Sequence, residues 1–308
     1  MSSSASTLAA LSDDLAEAVA QAGQSVVAID ARRRIPSSGV LWRDNIAVAA
    51  NHTITRDEDV SVTLPDGSTV PATLAGRDQT TDLAVLRVDS ATPAVRRAGD
   101  DRLQVGRVVL AVGRPGPQVT AALGIISAVG GEWRTWHGGR IDRFVRLDLS
   151  VYDGFSGSPL VETDGRVLGI NTSGLSRATA LTIPTATVDR VVAELIERGH
   201  IPRGYLGLAV QPVRLPDPMR QSLGVSGAVG LVVINLEANG PAERAGLLLG
   251  DILIGLDGRE VSDPSDLLAL LASERAGAEI ILRIVRAGAV QQVTVTVGER
   301  PSRKARRS

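Results

Sequence analysis

One segment organises this chain: Asp153-Gly154-Phe155-Ser156-Gly157-Ser158-Pro159-Leu160. The glycines around Ser156 allow a tight turn whose backbone angles other residues resist. Such a turn pushes the serine hydroxyl outward and leaves nearby N–H groups unpaired. A serine hydroxyl becomes a good nucleophile only when a base removes its proton and donors receive the negative charge that develops. The segment therefore predicts a reactive serine if the rest of the chain supplies a base and a carboxylate.

A candidate base and a candidate carboxylate precede this segment. His52 ends the apolar strand that begins at Ala47, and Asp82 stands at the mouth of the apolar run over residues 83–86. A carboxylate in such a place is partly buried and needs donors, and an imidazole N–H is one. Taken singly, a surface histidine and a turn-forming aspartate would explain both residues. Together with Ser156 they follow the order His, Asp, Ser, which is one of the known orders of this catalytic triad along a chain.

The composition excludes several classes of site. The 308 residues include 33 basic and 34 acidic side chains, so the charge favours neither nucleic acid nor a membrane surface as a partner. The chain has no cysteine, which excludes disulfides, thiolate metal sites and a cysteine nucleophile. His52, His137 and His200 stand apart from paired acids at ligand spacing, so we predict neither a metal nor another cofactor.

Short apolar strands separated by turn residues run from Ser25 to about Ile183. Their many valines favour β-structure, and Asp66-Gly67 is a strong hairpin signal. About a dozen strands at this spacing are typical of antiparallel sheets closed into barrels. Residues 91–101, which are rich in Arg, Pro and Gly, would join two such halves.

Apolar residues at helical spacing predict four helices. They cover residues 12–23, 187–199, 241–248 and 267–274. Ser12 is the expected cap of the first helix, and Ser262 or Asp263 that of the last. Gly23 and Gly199 are the expected stops of the two longer helices.

Three segments resemble those of the HtrA (Do-type) trypsin-like serine proteases: residues 50–54, 81–86 and 154–160. Gly204-Tyr205-Leu206-Gly207-Leu208 and residues 240–253 resemble the PDZ domain that follows the protease in that family. The resemblance implies a mostly β fold, in which a chymotrypsin/trypsin-like double β-barrel is followed by an α+β PDZ domain.

The expected division of the chain has five parts. These are an N-terminal helical segment (1–23), a protease domain of two β-barrels (24–184), a connecting helix and linker (185–203), a PDZ domain (204–300) and a basic tail (301–308).

The resemblance makes Ser156 the nucleophile, His52 the general base and then acid, and Asp82 the orienting carboxylate. The backbone N–H groups of Gly154 and Ser156 would form the oxyanion hole. In such a triad the carboxylate fixes the tautomer of the histidine, which removes the serine proton only when it is neutral. The implied function is a serine endopeptidase that cleaves unfolded or damaged proteins through an acyl-enzyme.

Two residues depart from the family pattern and keep an alternative function open. The family has Asn before the serine and Gly two residues after it, where this chain has Phe155 and Ser158. Ser158 would strain a turn that prefers glycine, and Asp153 would repel the oxyanion unless it points outward, as we expect. The alternative is a proteolytically weak or inactive PDZ scaffold, a chaperone-like binder of peptides.

Five residues are expected to line the pocket for the side chain before the cut bond: Ser150, Val151, Ala180, Leu181 and Thr182. No acidic residue is expected at the base of this pocket, so small or aliphatic side chains are favoured over Arg and Lys.

The resemblance also implies partners. Tyr205, Leu206, Gly207 and Leu208 would form the PDZ loop that captures a terminal carboxylate, and a hydrophobic C-terminus would add as a strand beside it. Family members form trimers through N-terminal contacts, so a homotrimer is expected.

The N-terminus predicts the compartment. Met1-Ser2-Ser3-Ser4-Ala5 lacks the basic start and the apolar stretch of a secretory signal. We therefore expect a cytoplasmic protein, or a protein of the cell envelope if a leader has been removed.

Overall fold

The computed structural model describes residues 2–176, 179–201, 204–271 and 276–299. The chain folds into two compact units, Met1–Ile201 and Pro202–Ser308. Each unit has a hydrophobic core of its own. The predicted basic tail, 301–308, and residues 202–203 of the predicted linker lie outside the described residues. The five-part division of the chain stays a prediction.

Six antiparallel strands close the first barrel in the order β1-β2-β3-β6-β5-β4. They are β1 (Val26–Asp30), β2 (Ser37–Arg43), β3 (Ile46–Ala50), β4 (Val60–Thr63), β5 (Thr69–Asp78) and β6 (Leu83–Val88). Gly67 has a φ of +88° in the connection between β4 and β5, where the sequence predicts a hairpin. Glycine takes such an angle without steric cost.

Six further strands close the second barrel in the order β11-β14-β13-β12-β7-β8, and β9 and β10 form a separate hairpin. The barrel strands are β7 (Val108–Gly113), β8 (Thr120–Val129), β11 (Val145–Asp148), β12 (Pro159–Glu162), β13 (Val167–Thr172) and β14 (Leu181–Pro184). The hairpin strands are β9 (Trp133–Arg134) and β10 (Arg140–Ile141). The two closed barrels confirm the predicted double-barrel fold.

Two long helices flank the barrels and pack into the core of the first unit. α1 spans Ser2–Gly23, and α2 spans Thr185–Arg198. Ala18 and Ala22 of α1 and an apolar face of α2 lie in one buried cluster with strand residues of the barrels. The predicted start of the first helix at Ser12 is wrong, because no Gly or Pro interrupts residues 2–22 and alanine, the best helix former, recurs there.

The second unit is a sheet in the order β16-β17-β18-β20-β21, to which β19 adds, with a β15–β22 pair beside it. Its strands are β15 (Gly204–Tyr205), β16 (Leu208–Arg214), β17 (Val229–Leu236), β18 (Ile252–Leu256), β19 (Arg259–Glu260), β20 (Glu279–Arg286), β21 (Ala289–Thr296) and β22 (Gly298–Glu299). Its helices are α3 (Asp217–Leu223), α4 (Pro241–Arg244) and α5 (Pro264–Leu270).

The helices of the second unit differ from the prediction in length. α4 ends at Arg244, and α3 was not predicted. α5 begins earlier than expected, because Asp263 caps it in a capping box with Asp266. Residues 272–274 of the helix predicted there lie outside the described residues.

Candidate active site

His52 is held by a buried carboxylate. It lies in the 3₁₀ turn Asn51–Thr53, directly after β3. Asp82 Oδ2 lies 2.7 Å from His52 Nδ1, and Asp82 Oδ1 accepts the backbone N–H of His52 at 2.8 Å. Because Nδ1 donates to the carboxylate, Nε2 carries the free lone pair of the neutral ring. His52 is therefore oriented to accept a proton at Nε2.

Asp82 is enclosed by residues that the sequence analysis did not identify. It is 3% exposed and adopts a φ of +58° just before β6. Thr172 Oγ1, at the end of β13, donates a hydrogen bond to Asp82 Oδ2. A Cβ added to Gly174 would lie 2.5 Å from Asp82 Oδ2 and 2.7 Å from His52 Nδ1. Nothing in the sequence marks these two residues, since a threonine ending a strand and a glycine in the next loop are common.

The loop that carries Ser156 is fixed by hydrogen bonds on both sides. Gly154 and Gly157 have φ values of +89° and +91°, as the sequence predicts for residues flanking a tight turn. The carbonyl of Gly154 accepts the N–H of Ser38 at 2.8 Å and its hydroxyl at 2.7 Å. The N–H of Gly157 donates to the carbonyl of Asn171 at 2.9 Å.

Two N–H groups of this loop are left for a ligand. Within the described residues, the N–H groups of Gly154 and Ser156 have no hydrogen-bond acceptor, whereas that of Phe155 donates to Tyr152. Ser156 is 7% exposed. Free backbone donors beside a serine hydroxyl can stabilise an oxyanion that forms on a substrate carbonyl.

The hydroxyl of Ser156 is bonded to a residue that the sequence analysis missed. Ser156 Oγ lies 3.0 Å from Ser173 Oγ and accepts the N–H of Ser173 at 3.4 Å. Ser173 Oγ in turn lies 3.5 Å from His52 Nε2. In the described part of the chain, Ser156 Oγ has no hydrogen bond to His52 itself. The structure therefore brings His52 and Ser156 into one cleft, with Asp82 buried and bonded to His52. Ser173 lies beside Ser156 Oγ and His52 Nε2.

The departures from the family pattern fit this loop. Phe155 is fully buried, and its ring meets that of Tyr152 edge to face at a centroid distance of 5.4 Å. The expectation of backbone strain at Ser158 is wrong, because Ser158 does not have a positive φ. Its buried Oγ accepts a hydrogen bond from Asn171 Nδ2 at 3.1 Å. Asp153 is exposed, as expected.

The cleft beside Ser156 has a volume of about 370 Å³ and contains only part of the predicted pocket. Val151 and Ala180 line it, but Ser150, Leu181 and Thr182 do not. Leu181 and Thr182 are buried instead, because strand β14 begins at Leu181 and is covered on both faces. The lining residues that the prediction missed are Arg32, Leu149, Tyr152, Asp153, Ser173, Ser176 and Thr179.

The predicted carboxylate loop of the second unit is anchored through its carbonyls. The carbonyl of Leu206 accepts the N–H of Ala242 at 2.8 Å, and that of Gly207 accepts the N–H of Glu237 at 2.7 Å. In a trans peptide the N–H points opposite to the C=O, so the N–H groups of Gly207 and Leu208 point away from these contacts. Leu208 begins β16, which lies at the edge of the sheet, and Tyr205 ends β15.

The described residues give no sign of a metal or a membrane span. They contain no group of three or more His, Asp and Glu placed to hold a metal ion. None of the described helices is both long and apolar enough to cross a membrane.

The two closed six-stranded barrels define a trypsin-like peptidase fold, with His52 and Ser156 in one cleft and the buried Asp82 bonded to His52. The family models agree: residues 37–170 match the Trypsin-like peptidase domain, and residues 204–297 match the PDZ domain.

The chain is also similar to named relatives. It is 35% identical over 277 residues to the "Probable periplasmic serine endoprotease DegP-like" of Brucella suis biovar 1 (strain 1330), a match that covers 87% of this chain and 53% of that protein. It is 37% identical over 280 residues to the protein of the same name from Rhizobium meliloti (strain 1021), a match that covers 88% of this chain and 55% of that protein. The chain thus spans about half the length of the curated relatives it matches.

Solved structures match over nearly the whole chain. The structure described as "HtrA-type protease AlgW with decapeptide" has a TM-score of 0.71 and 31% identity, and covers 94% of this chain and 99% of that chain. The structure of the serine endoprotease from Yersinia pestis has a TM-score of 0.71 and 29% identity, and the match covers 93% of this chain and 98% of that chain. The chain therefore belongs to the HtrA-type family of trypsin-like serine proteases with a PDZ domain.

The expectation of a cytoplasmic protein is wrong. The curated relatives are named as periplasmic, which points to the cell envelope. The start of a chain does not decide the compartment, because a leader is removed from the mature protein.

Proposed function

We propose that this chain is a serine endopeptidase that works through an acyl-enzyme. Ser156 Oγ attacks the substrate carbonyl and His52 Nε2 takes its proton, while Asp82 holds the ring. The N–H groups of Gly154 and Ser156 receive the negative charge on the carbonyl oxygen. His52 then gives the proton to the leaving amine, and water hydrolyses the ester by the reverse path.

One observation carries this proposal: a histidine fixed by a buried aspartate opens onto the same cleft as a serine flanked by free N–H groups. Each part alone has structural explanations. Their convergence provides a base, a nucleophile and an oxyanion site within reach of one peptide bond. The alternative of an inactive scaffold is not favoured. It rested on Phe155, Ser158 and Asp153, and none of these residues displaces His52, Ser156 or the free N–H groups.

The pocket for the side chain before the cut bond takes small or aliphatic residues. Leu149, Val151 and Ala180 supply its apolar surface. Asp153 is the one acid that lines the cleft among the described residues, and it is exposed at the loop rather than at a buried base. An ammonium or guanidinium group entering the pocket would therefore lack a buried partner.

The substrates are unfolded or damaged proteins, as in protein quality control. A substrate must lie extended along the cleft to present a peptide bond to Ser156, and a folded chain seldom offers such a segment. The peptide complexes of the similar AlgW structures support peptides as ligands.

The PDZ domain binds hydrophobic C-termini. The N–H groups of Gly207 and Leu208 capture the terminal carboxylate, with Tyr205 and Leu206 completing the loop. The peptide then adds to the free edge of β16.

The protein assembles as a homotrimer through its N-terminal helix. Leu8 and Leu11 are 68% and 46% exposed on α1 and continue the helix face on which Leu15 packs against the core. An exposed leucine stripe on a long helix is a surface that a second copy can cover. Sedimentation equilibrium of the full chain tests this, with a trimer expected and a monomer at micromolar concentration contradicting it.

The test of the proposed function is digestion of unfolded β-casein by the full chain, compared with Ser156→Ala. We expect cleavage at neutral pH by the parent chain and a loss of about 10⁴-fold or more in the variant. Ser127→Ala, at a half-buried serine on β8 outside the cleft, serves as the matched control and should cleave normally. Equal cleavage by parent and Ser156→Ala would sink the proposal.

A further inference from the structure

Ser173 occupies the space between the nucleophile and the base. It follows directly after β13, which ends at Thr172, and its side chain is exposed in the cleft. Its hydroxyl lies 3.0 Å from Ser156 Oγ and 3.5 Å from His52 Nε2. Its N–H also donates to Ser156 Oγ at 3.4 Å. Two groups of one residue thus hold the nucleophilic hydroxyl.

The two contacts of the Ser173 hydroxyl differ in strength. An O–H···O bond of 3.0 Å has ordinary length, whereas 3.5 Å to a ring nitrogen exceeds the usual range. General-base catalysis requires Ser156 Oγ to be within about 2.6–3.2 Å of His52 Nε2. In the orientation observed, the hydroxyl is bonded on the Ser173 side instead. It must turn away from Ser173 before His52 can take its proton.

We propose that Ser173 is a positioning residue that holds the hydroxyl of Ser156 in a resting orientation, away from His52. This inference rests on the proposed function of Ser156 as nucleophile. A proton relay from Ser156 through Ser173 to His52 is the other use of the same residues. The long contact between Ser173 and His52 argues against it, because a relay needs a well-formed hydrogen bond at each step.

The expected effect follows from the strength of one hydrogen bond. A neutral hydrogen bond that favours the resting orientation lowers the population of the reactive one by about 2- to 10-fold. Removal of the Ser173 hydroxyl therefore increases the fraction of molecules in which the Ser156 hydroxyl is turned toward His52. We therefore expect Ser173→Ala to gain activity, whereas loss of a relay or of a structural contact lowers it or leaves it unchanged.

The experiment uses the full chain and a small fluorophosphonate, whose rate of reaction with Ser156 reports the reactive orientation. We expect Ser173→Ala to react about 2- to 10-fold faster than the parent chain. With a chromogenic peptide, the gain should appear in kcat at unchanged KM. It should hold at every pH at which the parent chain is active, because the removed hydroxyl does not itself titrate.

Two further variants separate the hydroxyl from the shape of the side chain. Ser173→Thr and Ser173→Val differ only by a hydroxyl in place of a methyl group. We expect the valine variant to react faster than the threonine variant by a similar factor. Ser127→Ala is the control outside the cleft and should react like the parent chain.

The outcomes distinguish this inference from the proposed function. If the parent chain is labelled and Ser173→Ala is labelled equally or more slowly, Ser173 does not hold the hydroxyl and the inference is wrong. The inference is also wrong if the threonine and valine variants react alike. If neither the parent nor any Ser173 variant is labelled, the proposed function itself fails.

Discussion

The hydrogen-bonded pair of Asp82 and His52 leaves no room for a side chain at Gly174. An added Cβ would lie 2.5 Å from Asp82 Oδ2 and 2.7 Å from His52 Nδ1. We expect Gly174→Ala to displace the ring and to lower kcat/KM for a peptide substrate by about 100-fold, since small misplacements of reacting groups have effects of this size. Gly131→Ala is the matched control, because a Cβ at Gly131 meets nothing within 4 Å. Wild-type activity in Gly174→Ala would show that His52 is not placed as described.

Arg114 is buried between the end of α1, the start of β1 and the loop after β7. It is 5% exposed, and its guanidinium donates to the carbonyls of Val26 and Pro117 at 2.8 Å and of Gly23 at 3.2 Å. Burial lowers its pKa. Arg114→Met would leave three carbonyls without these donors, so we expect the free energy of unfolding to fall by about 2–4 kcal/mol in urea denaturation of the full chain.

The control for Arg114 is an arginine on the surface. Arg134 is exposed and makes one long contact, 3.4 Å to the carbonyl of Gly138. Arg134→Met should change the free energy of unfolding by no more than about 0.5 kcal/mol. Equal unfolding curves for both variants would mean that the buried guanidinium contributes nothing to the stability of the fold.

At the scale of elements, the loop between β15 and β16 depends on Gly207. Its φ is +73°, and an added Cβ would lie 3.2 Å from Gly240 Cα. We expect Gly207→Ala to weaken binding of a hydrophobic C-terminal peptide by about 10-fold or more, measured by fluorescence anisotropy, because both strain and contact shift the N–H groups that hold the carboxylate.

A matched glycine tests whether backbone strain alone accounts for that loss. Gly258 has a similar φ of +77°, but an added Cβ there meets nothing within 4 Å. Gly258→Ala should bind the peptide like the parent chain. If both variants lose affinity equally, the loop at Gly207 is not the carboxylate site.

The start of β18 is joined to the end of β20 by an ion pair whose carboxylate is buried. Asp251 is 2% exposed and accepts hydrogen bonds from Arg286 Nε at 2.7 Å and Nη2 at 2.6 Å. Burial alone would raise the pKa of Asp251, but the hydrogen bonds from Arg286 and from the N–H of Leu248 outweigh it and lower the pKa below its ordinary value.

That lowered pKa fixes the sign of a pH effect on stability. A carboxylate with a lowered pKa in the folded state stabilises the fold above its unfolded pKa of about 3.9, and this stabilisation is lost as the pH falls through the folded value. We expect Asp251→Asn to lower the free energy of unfolding by about 2–3 kcal/mol at pH 7. The difference from the parent chain should shrink below about pH 4. A difference that is constant from pH 7 to pH 3 would contradict the ion pair.

At the scale of the whole molecule, the sequence predicts the parts whose signals are local. The hairpin at Asp66-Gly67, the glycines around Ser156 and the apolar runs of the barrels follow from turn geometry and alternation along the chain. The candidate triad also follows, because its order and its three motifs resemble a known family. The family comparison then supports that resemblance.

The residues that the sequence does not predict are those brought to the site by tertiary contacts. Thr172 and Gly174 lie against Asp82 only because the two barrels pack together, and Ser173 lies against Ser156 because the second barrel closes. Position along the chain predicts Leu181 and Thr182 in the pocket, but the strand that begins at Leu181 is covered on both faces and leaves neither side chain in the cleft. Which residues of such a strand reach a cleft depends on what packs against each face, and a run of apolar residues does not encode this.

The most direct measurement is to map the covalent adduct of a fluorophosphonate on the full chain by peptide mass spectrometry. We predict one adduct, on Ser156, that forms at neutral pH and is strongly reduced in His52→Ala and Asp82→Asn. An adduct on another serine, or equal labelling of Ser156 in His52→Ala and in the parent chain, would contradict a nucleophile activated by this histidine and aspartate.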